Sequence, residues 1–95
     1  MKTITVNEKA NRMELENLLK FPESVAIVEN GQQVGTISEE QMAVIASDFA
    51  DYRVEIALNC IENNQSIIEL DFVEYLIDEL GLSLGDDDTI LVKAF

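Results

Sequence analysis

These 95 residues contain no histidine, one cysteine and one proline. Without histidine, the usual general base of neutral-pH catalysis is missing. Cys60 has no activating base nearby in the sequence, so a nucleophile triad has no members. A lone cysteine also lacks an internal disulfide partner. Among Leu58, Asn59 and Ile61 it reads as a small buried hydrophobe. No apolar run approaches the roughly 18–20 residues that a membrane-spanning helix needs. The opening MKTITVNEKANR alternates and then turns polar, unlike a secretory signal. The expectation is a cytoplasmic protein that is not an enzyme, with no cofactor and no metal.

Positive charge is scarce as well. Six Lys and Arg face nineteen Asp and Glu, for a net charge of −13. The imbalance grows along the chain: residues 1–50 hold four basic and eight acidic residues, residues 51–95 two and eleven. Such a charge repels phosphate backbones and attracts basic partners. It also keeps a surface solvated, so charge alone names no partner. The three consecutive carboxylates Asp86, Asp87 and Asp88 lack the spacing of a calcium loop and read as a solvated turn. With 47% apolar residues the chain has material for one core, and its short length favours oligomerisation, here a homodimer.

Periodicity supplies the elements. Lys2–Val6 alternates as a strand. Asn7 reads as the cap of a helix from Glu8 to Lys20, with Met13, Leu15, Leu18 and Leu19 turned inward and Phe21-Pro22 as its stop. Residues 25–38, VAIVENGQQVGTIS, form a hairpin about Asn30-Gly31, whose two-residue loop favours a type I′ turn. Outward counting pairs Glu29 with Gln32, Ile27 with Val34, Val25 with Thr36 and Ala26 with Gly35. Gly35 within a strand points to close approach by another group.

Ser38 and Gln41 form a capping box for a helix that runs to about Asn63, with a bend at Ala50–Arg53 as an option. Its helically spaced apolar residues are Met42, Ile45, Ala46, Phe49, Ile56, Cys60 and Ile61. Asp71 caps a shorter helix, Phe72–Leu80, stopped by Gly81. Thr89–Phe95 reads as a closing strand. The order β-α-β-β-α-α-β is an α+β fold: a small sheet, then helices, then a carboxy-terminal strand. Residues 1–95 make one domain.

The first forty-odd residues resemble the Phd/YefM antitoxin family. The likeness runs through MKTITVNE, ANRMELENLL, the hairpin ESVAIVENGQQVGTIS and the acidic helix start EEQM. It implies a dimerisation half over residues 1–45 that binds operator DNA. It implies an acidic half over residues 46–95 that wraps a toxin, often a small basic ribonuclease. The family commonly carries Arg or Lys beside the hairpin turn, where Glu29 and Gln32 stand in this chain. Lys2, Lys9 and Arg12 remain as candidate DNA contacts, so DNA binding is expected to be weak or absent.

Glu69–Leu80 combines an apolar stripe with acid, which makes Asp71, Phe72, Glu74, Tyr75, Asp78 and Glu79 the candidate partner-binding residues. The same stripe is equally what a helix covering a core needs. The leading expectation is an antitoxin-like protein that neutralises a basic toxin. The alternative is an acidic mimic of nucleic acid that blocks a nucleic-acid-binding protein, as some phage proteins do. A structural module with the same fold and no toxin is a third reading.

Overall fold

Backbone hydrogen bonds organise the chain around a strand added in parallel to a hairpin. The computed structural model describes residues 2–93. Strand β1 (Lys2–Thr5) leads through helix α1 (Arg12–Lys20) to β2 (Val25–Glu29), which turns back as β3 (Gln32–Ile37). The sheet order is β1-β2-β3, with β1 parallel and β3 antiparallel to β2. The long helix α2 (Glu39–Glu62) and the short α3 (Phe72–Glu79) follow, and β4 (Leu82–Leu84) pairs with β5 (Ile90–Val92) as a two-stranded ribbon. The fold is α+β: a small mixed sheet, then helices, then a terminal strand. The ribbon strand β4 lies in a stretch where the sequence signals only a helix stop. The outer part of the expected terminal strand, Ala94 and Phe95, lies outside the described residues.

Local signals hold where a cap or turn is chemically complete. The Ser38 hydroxyl accepts from the Gln41 amide while the Gln41 side chain accepts from the Ser38 amide, closing the capping box of α2. Asp71 accepts from the amides of Val73 and Glu74 at the start of α3. Gly81 ends that helix with a φ of +75°, the left-handed conformation that glycine adopts freely. Asn30 and Gly31 take φ values of +53° and +77°, both positive as a type I′ turn demands. The α2 helix passes through Ala50–Arg53 without interruption.

Four expectations are corrected. Asn7 is not a helix cap. It takes a φ of +69°, a left-handed conformation that asparagine tolerates. Helix α1 begins instead at Arg12, behind Asn11. The cause is tertiary. The Asn7 amide donates to the Ile90 carbonyl at 2.7 Å, the Ile90 amide to Glu8 at 2.9 Å and the Ala10 amide to Asp88 at 2.9 Å. A segment hydrogen-bonded to β5 has no free backbone for a helix.

The hairpin register also changes. Glu29 does pair with Gln32, but an irregularity between Ile27 and Val28 moves Ile27 opposite Gly35 and Val25 opposite Ile37. Val34 is left exposed. A Cβ at Gly35 would meet only Ile27, at 3.8 Å, which is ordinary contact, so the close approach expected there is absent within the chain. Met13, expected inside, is 78% exposed.

Every element but β3 contributes a buried residue to the core, and the half-buried Ile37 of β3 packs against it. Ile4, Val6 and Val25 of the sheet side meet Leu15 and Leu18 of α1. Met42 and Phe49 of α2 join them with Phe72, Val73, Leu76 and Ile77 of α3, and Leu82 and Ile90 close the cluster from the ribbon. Cys60 is buried as a free thiol. By contrast, Val54, Leu58 and Ile61 on the far half of α2 are exposed, as are Ile67 and Ile68 in the following loop. At 1.5 Å per residue α2 is about 36 Å long, and the molecule measures 48 Å along its longest axis.

This partition predicts a sharp contrast in stability. Leu76 is fully buried, so Leu76→Ala should cost about 3 kcal/mol in urea unfolding. Met13→Ala should change stability by less than about 0.5 kcal/mol. Equal effects would place Met13 in the core after all.

Candidate partner-binding site

Two adjoining cavities open along the line where α2, α3 and the loop before α3 meet. The first, about 490 Å³, is lined by residues that include Arg12, Lys20, Phe49, Arg53, Leu70, Asp71 and Phe72. The second, about 310 Å³, is lined by Phe49, Tyr52, Leu70, Asp71, Glu74, Tyr75 and Asp78. Phe49, Leu70 and Asp71 line both.

Arg12 lines the first cavity. Its Nη1 donates to Asp71 Oδ2 at 2.6 Å, while Nε and Nη2 grip both carboxylate oxygens of Asp88 at 2.8 and 2.9 Å. Asp71 meanwhile uses Oδ1 to cap α3. The two carboxylates hold the Arg12 proton more firmly than an isolated guanidinium would, through hydrogen bonds first to Asp88 and then to Asp71. In return the Arg12 hydrogen bond keeps the Asp88 carboxyl below its ordinary range. Asp87 is likewise lowered, by hydrogen bonds from Thr89. The turn that reads as merely solvated in the sequence therefore ties Asp88 back into the fold. Among the described residues no group of three or more His, Cys, Asp or Glu has a metal-holding arrangement.

Aromatic rings dominate the second cavity. Phe49 packs on Tyr75 with ring centroids 5.1 Å apart and on Phe72 at 5.2 Å. Tyr52 meets Tyr75 edge-on at 6.1 Å, one of the arrangements that the ring quadrupoles favour. The Tyr75 phenol is raised above its usual range by burial first, then by the charges of Glu79 and Asp48. Those two carboxylates come from α3 and α2, so acid flanks the ring from both helices.

The candidate residues separate by role. Phe72 is 5% exposed and belongs to the core, so it offers no anchor to a partner. Asp71 is held by Arg12 and by the α3 cap. Asp78 is ion-paired with Lys93. Glu74 and Glu79 are exposed, and Tyr75 is half-buried at the groove. Tyr52, 41% exposed, completes the groove although the sequence reading does not include it. A signal for it exists: it lies three residues after Phe49, on the same side of α2.

The candidate DNA contacts form no free basic face. Arg12 is tied to two carboxylates, and the Lys2 ammonium donates to the Glu14 carbonyl at 2.9 Å. Lys9 is exposed within the segment that bridges to Thr89, close enough to Asp87 and Asp88 for its charge to be felt there. Compared with protein-family models, curated proteins and solved structures, the chain finds no match.

The Arg12 clamp predicts a specific acid response. A carboxyl whose folded pKa is depressed contributes stability above its ordinary value of 3.8. It loses that contribution as pH falls through the lower folded value. Position 88 has a left-handed φ of +64°, which asparagine tolerates. Asp88→Asn should therefore be less stable than the parent at pH 7, and the gap should close as acid protonates Asp88. Urea midpoints measured from pH 7 to pH 2 test this. A gap that persists at the acid end would assign the loss to the turn rather than to the Arg12 pair.

Proposed function

We propose that this chain is an antitoxin-like protein that captures and neutralises a basic protein partner, and that it acts in the cytoplasm without catalysing a reaction. The observation that carries this reading is the groove between α2 and α3. There exposed acid from Glu74 and Glu79 lies beside the half-buried ring of Tyr75. Acid speeds encounter with a basic surface, and a desolvated aromatic anchor slows release. The likeness of residues 1–45 to the Phd/YefM family supports the same reading independently.

The reading gives DNA a minor part. Lys2, Arg12, Arg53 and Lys93 all have partners within the chain: a carbonyl, two carboxylates, the Phe49 ring and a carboxylate respectively. Few cations remain to neutralise phosphates against a net charge of −13. Operator binding is accordingly weak or absent.

Two copies of the chain associate in this proposal. Val54, Leu58 and Ile61 recur at helical spacing on the exposed far half of α2, and Ile67 and Ile68 are exposed in the loop that follows. Light scattering at micromolar concentration should give twice the chain mass, and Leu58→Asp should return it to a monomer. A parent protein that runs as a monomer ends the dimer proposal.

Capture itself is tested on a partner recovered by pulldown from the source cell. Glu74→Gln with Glu79→Gln should slow association and flatten its salt dependence. Tyr75→Ala should mainly speed dissociation, by about 2 kcal/mol for an anchor residue, provided the variant melts as a folded protein. The idea fails if no basic protein is recovered, or if the charge variants bind with unchanged rates and salt slope. Displacement of the partner by duplex DNA would favour the nucleic-acid mimic instead.

A further inference from the structure

We propose that the groove walled by Tyr52 and Tyr75 is a seat for an arginine side chain of the basic partner, and that it selects arginine over lysine. The inference rests on the capture reading above and adds the chemistry of the residue captured. The groove has a volume of about 310 Å³, and none of its lining residues is basic. Its walls are aromatic and its rim is acidic. Among the described residues Asp48, Glu74 and Glu79 form no ion pair, whereas Asp71 and Asp78 are already neutralised by Arg12 and Lys93. Glu74 thus lines the slot uncompensated, and the charges of Glu79 and Asp48 are felt at Tyr75.

Acid alone would not discriminate between cations, because exposed ion pairs contribute little and accept either ammonium or guanidinium. The rings supply the selectivity. A guanidinium is planar, weakly hydrated and stacks on aromatic faces; an ammonium is compact and keeps its water. Phe49 also lines the neighbouring cavity, and there the guanidinium carbon of Arg53 lies 5.7 Å from the Phe49 ring centroid. Lys93 pairs with the Asp78 carboxylate of the groove. One aromatic cluster thus already holds an arginine, and its tyrosine-walled side has no basic residue in its lining.

The composition makes the groove directly observable. The chain has two tyrosines and no tryptophan, and both tyrosines line this groove. Tyrosine emission of the full chain, titrated with a blocked hexa-arginine peptide, should change on binding. Anisotropy of labelled peptides should show hexa-arginine binding about two- to fivefold tighter than hexalysine, the range expected for a partly exposed cation–ring contact. Tyr52→Leu, at a half-exposed position, should keep the parent melting curve and abolish that preference. Glu74→Gln should weaken both peptides together and leave their ratio unchanged. Equal affinity for the two peptides in the parent, or a preference that survives Tyr52→Leu, overturns the arginine seat while leaving acidic capture intact. Failure of both peptides to bind at low salt overturns the seat and the capture reading together.

Discussion

One guanidinium joins three parts of this chain that are far apart in sequence. Arg12, in the first turn of α1, holds Asp71 at the start of α3 and Asp88 in the turn between β4 and β5. The planar fork of arginine suits this task because its donors can serve two carboxylates in fixed directions, which a lysine ammonium cannot do. Each partner has a second local duty: Asp71 caps a helix, and Asp88 shapes a turn. The side chains remain roughly one-third exposed, at 37% for Arg12 and 31% for Asp71. Solvent screening limits the energy of such pairs, so the clamp contributes more to orientation than to bulk stability. Burial of Phe49, Leu76, Ile77 and their neighbours supplies the larger share of the driving force.

The clamp also explains how an acidic chain distributes its few cations. Arg12, Arg53 and Lys93 engage carboxylates or a ring of the same chain, and most carboxylates face water. The protein thereby presents acid to its surroundings while keeping its internal charges compensated. The α2–α3 groove lies next to the clamp because Asp71 belongs to both. Its position is fixed by the same residue that starts α3, so the helix carrying Glu74 and Tyr75 is oriented by contacts within the chain.

Legibility in the sequence follows the range of the interactions. The α2 capping box, the α3 cap at Asp71, the Gly81 stop and the Asn30-Gly31 turn are all decided within a few residues, and all are readable. The start of α1 is not, because Asn7–Ala10 are claimed by a ribbon near the other end of the chain, and helix propensity loses to that pairing. The slip at Val34 arises inside a hairpin whose turn is read correctly, since a bulge leaves the turn unchanged. Strand β4 has only three residues and little pattern to read. The groove is half legible: Tyr75 stands out, while Phe72, on the same helix, turns into the core. Tyr52 has a sequence signal in its spacing from Phe49, but its place beside Tyr75 follows only from the packing of α2 on α3.

The hydrogen bonds between β5 and residues 7–10 carry a consequence for the order of events in the cell. A ribosome releases the amino-terminal segment long before it releases Ile90, and until then the amides of Asn7 and Ala10 and the carbonyl of Glu8 lack their partners. The Arg12 guanidinium likewise waits for Asp71 and Asp88. The hairpin and the long helix can form from local contacts as they emerge, but closure awaits pairing between segments near opposite ends of the described chain. Until the ribbon pairs, Ile4, Leu15 and Leu18 lack the cover that Leu82 and Ile90 give to their cluster.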